Sequence, residues 1–250
     1  MQFLMLQHFC GLNKDRELVE KMALQESFRE WNEVMVRKYN PEDYIFHSNF
    51  LVKFIELMRF KKIKDLLQLT NDDHFLDIGC GSGYLLNQAA CHTGIGIDIS
   101  DLMVKTAWEN CKNNGKKFIV QSDAENLPFK NRSFNKIVST EVIEHILRPQ
   151  VLLKEIERVS KNDTVIVITI PNEKYINWIK NLLFSLRVHK LLFRKSYRPS
   201  RRMEDAWHLH IFDIKKFKEL IIGKFIIKKI IPIPTVFFPL RYIFSLKMVF

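Results

Sequence analysis

Hydrophobic positions along the chain change period near residue 71. Before it, apolar side chains recur at helical spacing. Leu18, Met22, Phe28 and Trp31 predict a helix over 15–39, and Phe50, Phe54, Leu57 and Met58 predict another over 47–68. Asn40-Pro41 separates the two. After Asn71-Asp72, short apolar strands alternate with helices. Strands are read at 74–78, 94–99, 117–121 and 136–140, and TVIVITI over 164–170 is a strongly β-branched fifth. Helices are read at 82–90, at 101–113 behind a Ser100 cap, and at 150–160. Such alternation predicts an α/β fold with a doubly wound, mostly parallel sheet and helices on both faces. Further on, 213–222 reads as a helix stopped by Gly223, followed by late strands over 224–231 and from Val236. The segment 174–212 is too long for an ordinary connection and reads as an insertion. The expected organisation is an N-terminal helical cap over 1–70 and one domain over 71–250.

Composition excludes several classes. With 250 residues, 47% hydrophobic and 27% charged, the chain can bury a core, unlike a disordered, collagen-like or small disulfide-framed protein. Cys10, Cys80, Cys91 and Cys111 form no paired pattern, so a reducing, cytoplasmic setting is expected. The opening MQFLMLQHFC lacks the basic region and cleavage signal of a secretory leader. The apolar run over 230–240 is short and broken by Pro232, Pro234 and Pro239, so no spanning segment is expected. Charge is polarised. Residues 171–250 hold 17 Lys+Arg and 5 Asp+Glu, whereas 1–170 hold 22 and 23. This places the excess positive charge on one region, as a basic face or as an ordinary solvated surface.

The central signal is FLDIGCGSG over 75–83, a strand running into a glycine turn and then a helix. Glycines there admit backbone N–H groups close to a ligand, at the strand end where open α/β sheets bind. The spacing is G-x-G-x-G, with Tyr84 at the third-glycine place of a dinucleotide fingerprint, which disfavours a pyrophosphate cradle. Asp98 ends the second strand, where a carboxylate accepts ribose hydroxyls, and Asp123 ends the third, within reach of an adenine amino group.

With those residues assembled, the chain resembles the class I S-adenosylmethionine-dependent methyltransferases, chiefly over 70–172. The resemblance is carried by FLDIGCGSG, GIDIS, SDAENLPF and STEVIEHI. It implies a seven-stranded sheet whose last strand runs antiparallel, and S-adenosyl-L-methionine as cofactor. It places Gly79, Cys80, Gly81 and Gly83 against the methionine part and Asp77 at its amino acid end. Asp98 with Ile99 would hold the ribose, and Asp123 with Ala124 the adenine, while Thr140 borders the same pocket. Asn135 stands where the family usually has aspartate.

Beyond the fourth strand, Glu141, Glu144 and His145 are spaced to converge on one helical turn. His145 is the candidate catalytic base. Glu141, Glu144, His145 and His210 are the candidate metal set, since oxygen and imidazole donors suit a divalent ion. E-x-x-E-H is similar to a metal-binding pattern of ubiquinone-pathway O-methyltransferases and of small-RNA 2′-O-methyltransferases; structural or substrate-facing roles remain open beside it. His208 and His210 precede a helix that in the family faces the acceptor pocket. No DPPY-like tetrad or Pro-Cys nucleophile is present, which disfavours two routes of base methylation.

In the insertion, Tyr175, Ile179, Leu182 and Leu186 share a helical stripe beside Lys180 and Arg187. Over 174–202 this suits either a helix lying on an anionic membrane surface or a lid packed on the core. Tyr39 and Tyr44 are candidate cofactor contacts from the cap. The expected activity is methyl transfer to a small-molecule or lipid acceptor at oxygen, by a cytoplasmic, membrane-peripheral enzyme. The alternatives are a metal-dependent RNA 2′-O-methyltransferase or a non-catalytic cofactor-binding subunit; nucleic acid is the disfavoured partner.

Overall fold

The computed structural model describes residues 25–39, 50–185 and 207–249. Its helices are α1 (Gln25–Lys38), α2 (Phe50–Leu67), α3 (Tyr84–Asn87), α4 (Asp101–Cys111), α5 (Pro149–Val159), α6 (Glu173–Ser185) and α7 (Ile214–Ile221). Its strands are β1 (His74–Ile78), β2 (Thr93–Asp98), β3 (Lys117–Gln121), β4 (Phe134–Thr140), β5 (Ser160–Pro171), β6 (Phe225–Pro234) and β7 (Pro239–Met248). Tyr44 and residues 186–202 of the proposed membrane segment lie outside the described residues.

The strands form one sheet in the order β3-β2-β1-β4-β5-β7-β6. β1 to β5 pair in parallel, and β7 runs antiparallel between β5 and β6. This is the doubly wound, mostly parallel α/β sheet expected from the alternation. Side chains on neighbouring strand positions point to opposite faces, and each face is apolar. Leu76, Ile137 and Ile166 pack with Leu152, Ile156 and Phe217. Phe75, Val138 and Val167 pack with Ile63 and Leu67 of α2 and Leu86 of α3. The central strands are covered on both sides, which explains their near-continuous hydrophobic runs.

Several element ends differ from expectation for local reasons. The helix read over 82–90 shrinks to α3 because Gly83, at φ +75°, is left-handed and cannot continue a helix. β4 and β5 begin earlier because Phe134 pairs with Ser160. Ser100 caps α4, its hydroxyl accepting Met103 N–H at 3.2 Å. Asn135 Oδ1 accepts His74 N–H at 2.8 Å and its amide donates to Asp73 Oδ1 at 2.6 Å. It therefore ties β4 to the start of β1, a role the amide fills with donor and acceptor together.

Candidate active site

Parallel pairing brings the carboxyl ends of β1, β2 and β4 to one edge, and the glycine loop crosses it. Gly79, Gly81 and Gly83 all have positive φ, at +66°, +53° and +75°. A Cβ on Gly79 would come 2.3 Å from Val142 Cγ2, so no other residue fits. The loop is fixed by Cys80 N–H donating to Ile97 O at 2.9 Å and Gly81 N–H donating to Asp98 Oδ2 at 3.0 Å. Ser100 N–H donates to Asp98 Oδ1 at 2.9 Å. Cys80 is buried, and its Sγ fills the space a Cβ on Gly96 would need, 2.8 Å away. Burial also pushes its thiol pKa well up, consistent with a filler and not a nucleophile.

Asp77 is buried and Asp98 half-buried beside this loop. Desolvation, then the charge of Asp98, pushes the Asp77 pKa up to about 7. Asp98 is pushed up to about 6 by desolvation, restrained by the N–H groups of Ser100 and Gly81. Asp123 Oδ1 accepts Glu125 N–H at 2.8 Å, forming the turn that carries Ala124. A cavity of about 510 Å³ is lined by Asp77, Gly79, Cys80, Gly81, Asp98, Ile99, Asp123, Ala124 and Thr140. Gly83 lies behind it, packed on Ala107 and Cys111. α1 closes one wall with Asn32, Val36 and Tyr39, docked by Ser100 Oγ donating to Glu33 Oε2 at 2.6 Å.

The other side of the cavity departs from the expected single helical turn. Glu141 sits at φ +55°, and only residues Ile143–His145 make a 3₁₀ turn. Glu141 therefore turns away from His145 toward two arginines. Arg241 Nε donates to its Oε2 at 2.8 Å, Arg59 Nη1 lies 3.6 Å from Oε1, and Thr169 Oγ1 donates to Oε1 at 2.8 Å. Glu56 completes the quartet, 2.7 Å from Arg59 and 3.0 Å from Arg241. Burial alone would raise the Glu141 pKa, but Arg241 and Arg59 hold it below its ordinary value.

Glu144, His145 and His208 do converge, with potential ligand atoms all within 4.8 Å of one another. The Glu144 carbonyl accepts Leu209 N–H at 2.8 Å and so pins the segment that carries His208. Both Glu144 carboxylate oxygens are buried without a hydrogen-bond partner among the described residues. Desolvation, then Glu141, pushes the Glu144 pKa well up. His145 Nδ1 faces the Trp207 carbonyl at 3.3 Å, which makes that nitrogen the donor and leaves Nε2 as acceptor. Desolvation, then His208, lowers the His145 pKa to about 3, holding the ring neutral. His208 Nδ1 lies 2.9 Å from Glu173 Oε1 at the start of α6. His210 faces the carbonyls of Ile146 and Leu147, at 2.8 and 3.3 Å, and stays apart from the cluster.

Sequence reasoning thus missed Glu56, Arg59, Glu173 and Arg241. Glu173 and the strand position of Arg241 carry no local motif; their partners lie 35 to 100 residues away along the chain.

The family described as a methyltransferase domain matches residues 76–168. An uncharacterized protein of Methanocaldococcus jannaschii is 32% identical over 165 residues, spanning 66% of this chain and 58% of that protein. A ubiquinone biosynthesis O-methyltransferase of Coxiella burnetii is 26% identical, over 64% of this chain and 73% of its own. The chain spans 46% to 63% of the length of the first three relatives it matches. The magnesium protoporphyrin IX methyltransferase of Synechocystis PCC 6803, solved with bound SAH, has a TM-score of 0.60 at 15% identity, covering 92% of this chain and 100% of that one. Residues 76–168 therefore match a methyltransferase domain, and the seven-stranded sheet around them has the fold of the solved methyltransferase.

Proposed function

We propose that the protein transfers a methyl group from S-adenosylmethionine to a small or lipophilic acceptor, at oxygen. One observation carries this reading: a single cavity joins the Asp77, Gly79–Ser82 and Asp98 edge to Glu144, His145 and His208. The residues fit the cofactor on physical grounds. Left-handed Gly79 and Gly81 line the cavity without side chains, and Asp77 and Asp98 have no cation partner among the described residues, which a sulfonium and an amino group would supply. When bound, the cofactor brings an electrophilic methyl group on positively charged sulfur. Asp98 would then accept ribose hydroxyls and Asp123 with Ala124 would border the adenine. His145, neutral with Nε2 as acceptor, would receive the hydrogen bond of the acceptor hydroxyl and orient it. Acceptor oxygen is supported by the similarity to the Coxiella O-methyltransferase, and a lipophilic acceptor by the apolar lining from Val36, Ile55 and Ile176.

Calorimetric titration with S-adenosylhomocysteine tests the site. Asp98→Ala should lower its affinity at least about tenfold, the loss of a charged hydrogen-bond acceptor; unchanged affinity would overturn the assignment.

A second reading, transfer assisted by a divalent ion to a vicinal diol such as an RNA 2′-hydroxyl, is favoured by the Glu144, His145 and His208 cluster. An unpartnered carboxylate with two imidazoles, one buttressed by Glu173, is a donor set suited to a first-row transition metal. Cobalt(II) absorption on the ligand-free protein decides it: a bound-ion spectrum lost in His208→Ala supports this reading, and an aquo-ion spectrum removes it.

A further inference from the structure

Around the mouth of the cavity, large apolar side chains stand in water. The turn joining β6 to β7 exposes Val236, Phe237 and Phe238 at 74%, 85% and 59%. β7 pairs antiparallel with β5, Arg241 opposite Pro171, so this turn projects beyond the carboxyl ends of the parallel strands. It stands two residues from Leu240, which lines the cavity. α6 buttresses the turn. Tyr175 Oη donates to the Phe237 carbonyl at 3.2 Å, and its ring lies 5.7 Å from Trp178 and 6.5 Å from Phe238. Trp178 is exposed, whereas Ile176 and Ile179 of the same helix line the cavity. Across the mouth, α2 exposes Phe50 and Phe54 while its Val52 and Ile55 face inward. Single exposed hydrophobics are ordinary; a rim drawn from three elements around one opening marks an interaction surface.

Charge selects the occupant. The elements that form the rim carry Lys53 on α2 between Phe50 and Phe54 and Lys174 and Lys180 on α6, and Lys215 and Lys216 open α7, whose capping Asp213 lies 2.9 Å from Lys174 Nζ. Aromatic rings seat at the headgroup level of a bilayer, and cations beside them are drawn to anionic lipid. A second copy of the chain would bring the same positive excess and repel.

We propose that the 236–238 turn, with Trp178, Phe50 and Phe54, seats the cavity mouth on an anionic lipid surface, so that the acceptor enters from the membrane. Only the identity of what enters rests on the methyltransferase reading; the docking does not.

Co-sedimentation with phosphatidylcholine vesicles containing phosphatidylglycerol tests this, with S-adenosylhomocysteine affinity measured on the same preparations. The protein should bind at low salt, bind pure phosphatidylcholine far more weakly, and be released as salt rises. Phe237→Ser with Phe238→Ser should weaken binding at least about tenfold, given what burying two phenyl groups contributes, with nucleoside affinity kept. No binding at low salt, equal binding by the double variant, or a dimer abolished by that variant in sedimentation velocity would overturn the proposal. If the variant fails to fold, brominated lipid should quench the native tryptophan emission, less so in Trp178→Phe; absence of quenching is equally fatal. A protein that binds no S-adenosylhomocysteine but does bind vesicles would sink the cofactor reading alone.

Discussion

Asp77 is a residue whose burial costs stability and whose proposed role would repay it in binding. Its pKa, raised to about 7 by burial and then by Asp98, means that the folded, ligand-free protein holds a proton that the unfolded chain releases nearer 4. The proton's contribution to stability is therefore full below about 4, shrinks as pH rises toward the folded value of about 7, and is gone above it. Asp77→Asn should raise the thermal midpoint of the ligand-free protein by several degrees at about pH 8, and by less at about pH 5. The same substitution should weaken S-adenosylhomocysteine binding. Wild-type affinity should increase between about pH 5.5 and 8 as Asp98 and then Asp77 ionise, measured by calorimetry across that range. A flat profile would mean that neither carboxylate meets the ligand in its charged form. At this scale the sequence was most readable where a residue's placement is written in its neighbours. Asp77, Gly79 and Asp98 announce themselves through strand ends and glycines. Glu144 was visible as a donor, but its separation from Glu141 depends on a left-handed residue that no spacing rule anticipates.

Elements were legible where period and length agreed. β1 and β3 match the apolar runs, and α4 begins at the serine cap. The stretch after β4 was misread as one helical turn because E-x-x-E-H has helical spacing. The backbone instead reverses at Glu141, held by Thr169 of the adjacent strand, whose hydroxyl also accepts Glu141 N–H at 3.0 Å. That reversal delivers Glu141 to the buried quartet with Glu56, Arg59 and Arg241. Removing one member strands a charge in a poorly solvated place. Arg241→Gln should destabilise the protein by about 3–5 kcal/mol, the usual cost of breaking a buried pair from one side. Chemical denaturation reads the loss, and a change under about 1 kcal/mol would show the quartet to be solvated. Replacing the side chain also reshapes the cavity wall that Arg241 lines.

Across the molecule, the alternating pattern led directly to a parallel, doubly wound sheet, and the late apolar segments became β6 and β7 as expected. What remained hidden was the way distant segments meet at the site, since pairs such as Ser100 with Glu33 and His208 with Glu173 leave no trace in local composition. No helix among the described residues is long and apolar enough to cross a membrane, so the lipid contact inferred above is one of rim and charge. The place of β7 in the sheet has a consequence for folding. It follows β5 and β6 in the chain, yet it must slot between them. Until it does, Glu56 and Glu141 have only the Arg59 guanidinium between them and the cavity lacks the wall made by Leu240 and Arg241. The cavity thus takes its shape in one event, the seating of a strand that follows both of its neighbours along the chain.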